Sequence, residues 1–331
     1  MSDDPRGSAA FEVIEPGFFT TIQDLGRPDW THLGVPVGGA CDTWSLAVAN
    51  VLAGNEPSAA AIEMTIVGPG LAVRSRTILG LAGADLGAVV LETGERLAPG
   101  RSHLVPGGTR LAFPGADRPA PGARGYLAVP GGVDVPSVLG SASTLVAAGI
   151  GGIDGRLLQA GDVVRGRAAV KRAFEPRAWP GIPDDGAAAI GVLPGPAPGI
   201  EQLVDATWNV APASNRVGIR LDGPPLVAAR HGELLSHGVV GGAIQLPPDG
   251  APIVLLADHQ TTGGYPVIAV AMTADHPRLG QLRPGATVRF RRVTPEEARA
   301  ALLAQRAAFD RAASTLRDAA RWDDLWRSAG G

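Results

Sequence analysis

Residues 257–268 read ADHQTTGGYPVI, with an apolar run on either side and a dense set of hydrogen-bonding groups between them. Gln245, Asp258, Gln260, Thr261, Thr262 and Tyr265 bring amides, hydroxyls and a carboxylate close to strand ends. Gly263 and Gly264 add bare backbone, which lets a ligand approach closely and leaves N–H groups facing outward. A tight turn needs one glycine and an Asn or Asp, and has no use for two glutamines and paired threonines. The pattern suits a small polar ligand bearing an amide or phosphate, with plain turn chemistry as the competing reading. A second cluster, TTIQDLGRPDWTHLGVPVGGACD at 20–42, sets Thr20, Thr21, Gln23, Asp24 and Arg27 ahead of a glycine-rich loop. A guanidinium held by Asp24 could face a substrate carboxylate, carbonyl or phosphate. An exposed Asp24–Arg27 pair, contributing about 0–1 kcal/mol, explains the same residues. Glu63, among apolar neighbours in AIEMTIVGPG, needs a partner if buried, and Arg27 is a candidate.

Several chemistries are disfavoured by what the chain lacks. The histidines His32, His103, His231, His237, His259 and His276 are scattered, with no H-E-x-x-H or H-x-x-E-H, so no metal site is expected. GSAST at 140–144 misses a glycine of the G-x-S-x-G elbow, and GIGG at 149–152 has no strand-loop-helix setting. Lys171, the sole lysine, sits in AAVKRAF without a glycine loop, which excludes a phosphate loop and a biotin-carrier lysine and predicts a solvated surface residue. Cys41, the one cysteine, has no partner for a disulfide and reads as a small buried thiol.

These residues need a framework, and composition limits it. The chain has 331 residues, 45% hydrophobic and 18% charged, enough for a core and too few charges for disorder. A net charge of -3 predicts neither a nucleic-acid nor a membrane partner. The acidic start MSDDPRGSAA is unlike a signal peptide, and no apolar run reaches the roughly 20 residues of a membrane span, so a cytoplasmic protein is expected.

With 46 glycines and 29 prolines, long helices are broken through most of the chain. Strand-length runs recur instead: TILGLAG, GAVVLE, TRLAF, GYLAV, DVVRG, PIVLLAD, VIAVAM and TVRF. Turns separate them, as in an antiparallel barrel or sandwich. Two helices are predicted. Thr43–Leu52 follows Asp42 as N-cap and ends before Gly54. The other runs from Pro295 to about Arg327, with a Thr294/Glu297 capping box and a stripe at Leu302, Phe309 and Leu316. LAPG (97–100), LQAG (158–161) and LRPG (282–285) each precede a strand-like run, and VGPGLAV (67–73) is echoed by DGPPLVA (222–228). Together these predict a mainly β protein of two tandem β-barrel domains with short helices and a C-terminal α-helix. The first barrel is expected at 11–166, a linker at 167–188, the second barrel at 189–293 and an amphipathic helix at 294–328.

EPGFFTTIQDLGRP, HLGVPVGGACD, AVANVLAGN, GYLAVPGGVDVPSVLGSASTLVAAGIGG, SNRVGIRLDGPPL, GAIQLPPDGAPIVLLADHQTTGGYP and LGQLRPG occur in that order. In them the chain resembles the family called allophanate hydrolase subunit 2 or biotin-dependent carboxyltransferase, from about Phe11 to Phe290. The family includes the carboxyltransferase portion of urea carboxylase and the 5-oxoprolinase C subunit. The resemblance implies tandem cyclophilin-like β-barrels and work beside homologues of the 5-oxoprolinase B subunit (allophanate hydrolase subunit 1) and its A subunit. It implies ATP, with Mg2+ shared among subunits, for opening the 5-oxo-L-proline lactam to L-glutamate. The alternatives are transfer of CO2 from carboxybiotin on a separate carrier to a urea- or amide-like acceptor, or a regulatory role without catalysis.

The residues matched to the family's motifs divide by side-chain type. Asp24, Arg27, Asp258 and Gln260 are expected to be catalytic. Gln23, Asp42, Asn50, Glu63, Arg216, Gln245, Thr261, Thr262, Gly263, Gly264 and Tyr265 are expected to bind substrate, with no metal ligand. Ala142 replaces an expected arginine, His237 and Gly241 depart from an expected SEGV and a later proline, and Cys41 replaces a usual methionine.

Overall fold

The computed structural model describes residues 9–115, 122–168, 176–181, 189–227 and 235–329, without side chains beyond 316. Lys171, His231 and most of the expected 167–188 linker lie outside the described residues. The chain forms two compact units, Met1–Leu25 with Trp44–Pro183 and Gln305–Gly331, and Gly26–Thr43 with Asp184–Ala304.

The fold is mainly β, and every strand-length run named above carries an observed strand. In the first unit one sheet orders Val163–Arg165, Ala9–Glu15, Gly70–Val73, Arg110–Ala112 and Val89–Val90. The other orders Phe19–Gln23, Ala61–Thr65, Arg124–Ala128, Thr77–Gly83 and Arg101–Val105. Phe11, Ile22, Ile62, Leu71, Leu79 and Leu127, all 0% exposed, belong to one core shared by the two sheets. Burying such a side chain contributes about 1.5–3 kcal/mol before chain entropy is counted.

In the second unit the strands close into a barrel ordered Ile190–Pro194, Val267–Ala271, Ala243–Gln245, Ile253–Leu255, Gly218–Asp222, Thr207–Val210 and Thr287–Arg292. The first and last of these pair in parallel (Ile190 opposite Phe290), which removes the free edges. Trp208 and Ile244 fill the interior. A two-stranded ribbon, His237–Gly238 against Thr262–Gly263, stands apart from the barrel ladder.

Helix Thr43–Ala53 follows Asp42, and Pro295–Ala329 begins at the expected capping box. Glu297 N–H donates to Thr294 Oγ1, and Thr294 N–H donates to Glu297 Oε2. Of the expected stripe, Phe309 packs within 5.2 Å of both Trp44 and Trp179, measured between ring centroids. The LAPG, LQAG and LRPG turns lead into Arg101–Val105, Val163–Arg165 and Thr287–Arg292. The VGPGLAV echo is partial. Gly70–Val73 is a strand, whereas 224–227 forms none and 228 lies outside the described residues.

Candidate functional site

The second unit gathers most of the polar groups singled out from the opening motif. Arg216 lies just before strand Gly218–Asp222 and Asp258 just after Ile253–Leu255, and those strands are paired. The two side chains meet in a two-point ion pair, Nε to Oδ2 at 2.8 Å and Nη2 to Oδ1 at 2.9 Å. Arg216 is 6% exposed, and its guanidinium also donates to the Gly39 carbonyl at 2.6 Å and to Cys41 Sγ at 3.3 Å. Arg216 thus ties the glycine-rich loop 34–42 to the barrel. A substrate anion would have to compete with Asp258 for it.

Two further contacts hold that loop. Gly38 N–H donates to Ala257 O, and Gln281 Nε2 donates to Asp42 Oδ2 at 2.6 Å. Gly280 lies so close to Cys41 that a Cβ would stand 2.3 Å from its carbonyl oxygen, which only glycine permits. Cys41 is buried, as expected, and forms no disulfide. Arg27, at the head of the loop segment, is 1% exposed, and its N–H donates to Val37 O. Its burial removes the exposed-pair reading.

Beside this clamp lies an amide pair. Gln260 Nε2 donates to Gln245 Oε1 at 3.2 Å, which fixes the Gln245 amide. Gln245 is 2% exposed, and its Nε2 is buried with no acceptor. That nitrogen lies over Gly263, where a Cβ would come within 2.5 Å of it. Thr262, Gly264 and Tyr265 are exposed, and Thr261 accepts from Val239 N–H through its carbonyl. A buried amide N–H without an acceptor costs about 1–3 kcal/mol, and it is the type of donor that stabilises charge developing on a carbonyl oxygen.

His259 Nδ1 donates to the Gln260 carbonyl at 2.6 Å, leaving Nε2 as the lone-pair nitrogen on the side of Gly241. Burial pushes the His259 imidazole below the usual histidine range, against the opposing Gln260 carbonyl bond and Asp258 charge. Burial likewise lowers His276, opposed by its bond to Ala271 O and by Asp275, and reinforced by His259. The scattered histidines therefore include two that converge in space beside the amide pair. Metal-ligand spacing could not find them, because a turn and a helix start distant in sequence bring them together.

The first unit holds a separate network. Asp24 accepts from Ser141 Oγ at 2.6 Å and Ala142 N–H at 2.7 Å, so its carboxylate caps the 141–143 turn. Ala142 thus serves Asp24 through its backbone. Gln23 Nε2 donates to Thr21 Oγ1 and Thr144 O, while its Oε1 is buried without a donor. Glu63, 1% exposed, accepts from Tyr126 OH at 2.7 Å and lies 3.7 Å from Arg124 Nε, two partners that its apolar neighbours in sequence did not reveal. Asn50 donates to Ala59 O and accepts from Asn55, which in turn donates to Val129 O. Asn50 staples a loop, and its polar atoms are committed there. A 610 Å³ cleft elsewhere in this unit, lined in part by Glu92, Arg101, His103 and Arg177, contains none of the expected site residues.

The chain matches the family model described as carboxyltransferase domain, subdomain A and B, over residues 33–292. It belongs to the carboxyltransferase domain family. Within that carboxyltransferase family it is 36% identical to the 5-oxoprolinase C subunit of Escherichia coli (strain K12) over 320 residues, 92% of this chain and 98% of the relative. Urea amidolyase of Lachancea kluyveri is 34% identical, over 91% of this chain but 18% of that protein. The crystal structure of the Kluyveromyces lactis urea carboxylase superposes with a TM-score of 0.82 at 30% identity, covering 92% of this chain and 29% of that one. The chain thus spans a minor part of the urea enzymes and nearly all of the 5-oxoprolinase C subunit. No helix among the described residues is long and apolar enough to cross a membrane.

Proposed function

We propose that this carboxyltransferase-domain chain acts as the C subunit of an ATP-dependent 5-oxoprolinase, opening the 5-oxo-L-proline lactam to L-glutamate beside homologues of the A and B subunits in the cytoplasm. The observation that carries this reading is the end-to-end similarity to the 5-oxoprolinase C subunit, 98% of that relative. The site chemistry agrees with it. A lactam is an unreactive amide, and opening it requires charge to develop on the carbonyl oxygen. Gln245 Nε2, buried without an acceptor and oriented by Gln260, is a fixed neutral donor for that oxygen.

Magnesium-bound ATP is a different matter. Among the described residues no three His, Cys, Asp or Glu are grouped to hold a metal ion, and Arg216 is committed to Asp258, Gly39 and Cys41. This donor set does not by itself fit a metal-nucleotide, so no step is routed through one. Nucleotide binding then falls to surfaces completed by the companion subunits. Purified chain combined with both companions is expected to form glutamate from 5-oxoproline only when ATP is supplied. Absence of glutamate, with carboxylation that needs bicarbonate and is blocked by avidin, would replace this reading with carboxyl transfer.

A further inference from the structure

The ribbon formed by His237–Gly238 and Thr262–Gly263 covers two unsatisfied polar atoms. His237 stands directly opposite Gly263 in the antiparallel register, so its ring projects from the face on which a Gly263 side chain would lie. The Gln245 amide occupies that same position, its Nε2 within 2.5 Å of where a Gly263 Cβ would be. Gln245 Nε2 and His237 Nε2 are both buried with no hydrogen-bond partner. One is a donor. The other is an imidazole nitrogen, which accepts in the tautomer that carries its proton on Nδ1.

We infer that His237 and Gln245 together read the cis-amide edge of a cyclic ligand, and that the ribbon is the cover which opens to admit it. A ring amide cannot be trans, so its C=O and N–H lie side by side on one edge. Gln245 Nε2 donates to the carbonyl oxygen, and the ring N–H donates to His237 Nε2. Open-chain trans amides present these groups on opposite sides and fit poorly. Gln260 is a positioning residue here, since its bond to Gln245 Oε1 turns the donor end toward Gly263.

The ribbon is suited to opening. It has two residues per strand and pairs with nothing in the barrel, and an isolated short ribbon of this kind is marginally stable. Beside it Leu235 and Val240 are 89% and 59% exposed, while Val239 packs against the buried Ala243, Leu255 and Val267, so the apolar contacts holding it shut are few. In the closed ribbon both polar atoms lack a protein partner, whereas a bound ring amide satisfies both.

This inference rests on the lactam reading for its substrate, and the test separates the two. Binding of 5-oxo-L-proline, its N-methyl analogue and its ring-oxygen lactone analogue to the full chain is measured by calorimetry. The wild-type chain is expected to prefer the lactam over both analogues by about tenfold or more, the range of one hydrogen bond to a buried partner. His237→Ala should lose that preference by weakening the lactam alone, and His237→Gln, which restores an acceptor, should regain part of it. Gln245→Ala should weaken lactam and lactone alike. A His237→Ala chain with the wild-type melting temperature and an unchanged lactam-to-lactone ratio overturns the inference, as does a wild-type chain that binds none of the three. If a cyclic urea (2-imidazolidone) binds with the same His237 dependence while the assembled complex makes no glutamate, the edge-reading site stands and the 5-oxoprolinase reading falls.

Discussion

Arg216 and Asp258 form a buried two-point ion pair whose guanidinium also carries the Gly39 carbonyl and the Cys41 thiol. One charged pair thereby sets the loop 34–42 against the barrel strand ends that hold Gln245 and Gln260. Replacing Arg216 with alanine leaves Asp258 uncompensated and releases the loop. We expect a loss of about 3–5 kcal/mol in unfolding free energy, measured by denaturant titration. A loss under about 1 kcal/mol would show that the pair is well solvated.

Gly280→Ala tests the same loop from the other side. Its Cβ would meet a backbone oxygen, Cys41 O at 2.3 Å, which cannot swing away as a side chain can. A destabilisation of about 1–3 kcal/mol is expected from denaturant titration. A neutral result would mean that the loop shifts freely.

Gly263→Ala should behave differently. The atom it would meet is the end of the Gln245 side chain, which can move. Stability is expected to change by less than about 1 kcal/mol while turnover of 5-oxoproline falls about tenfold, because the donor is displaced. Parallel melting curves and steady-state kinetics check this, and unchanged turnover would detach Gln245 from the chemistry.

Acid should weaken the second unit through its histidines. His259 and His276 are both held below the usual histidine range by burial, so the unfolded chain binds protons near pH 6.5 while the folded chain does not. Stability is complete above about pH 6.5 and declines as pH falls toward the folded values, below which these groups contribute no further slope. Melting temperature followed from pH 8 to 5 should drop, and His259→Gln should flatten the drop. A profile unaltered by that substitution would contradict the assignment.

Much of the framework was legible in the sequence because it is local. Strand-length β-branched runs between Gly and Pro turns marked the strands, and Thr294, Pro295 and Glu297 marked the start of the last helix. The site was legible by residue type more than by role. Gln245 and Gln260 were singled out as amide donors, and the structure joins them. Arg216 was expected to bind substrate and Asp258 to be catalytic, and the structure pairs them with each other across neighbouring strands. Asn50 was read as a ligand group, and the structure shows its amide in loop contacts that the sequence could not reveal. His237 stood out only as a departure from the family pattern and His259 not at all. The histidines were weighed by metal-ligand spacing, and their placement comes from strand pairing for the first and burial for the second.

The most direct measurement compares wild-type chain and Gln245→Ala, each assembled with both companion subunits, for glutamate formed from 5-oxoproline with ATP. Removal of one fixed donor should lower kcat/KM by about 10²–10³-fold at an unchanged melting temperature. Equal kcat/KM for the two assemblies would contradict the account.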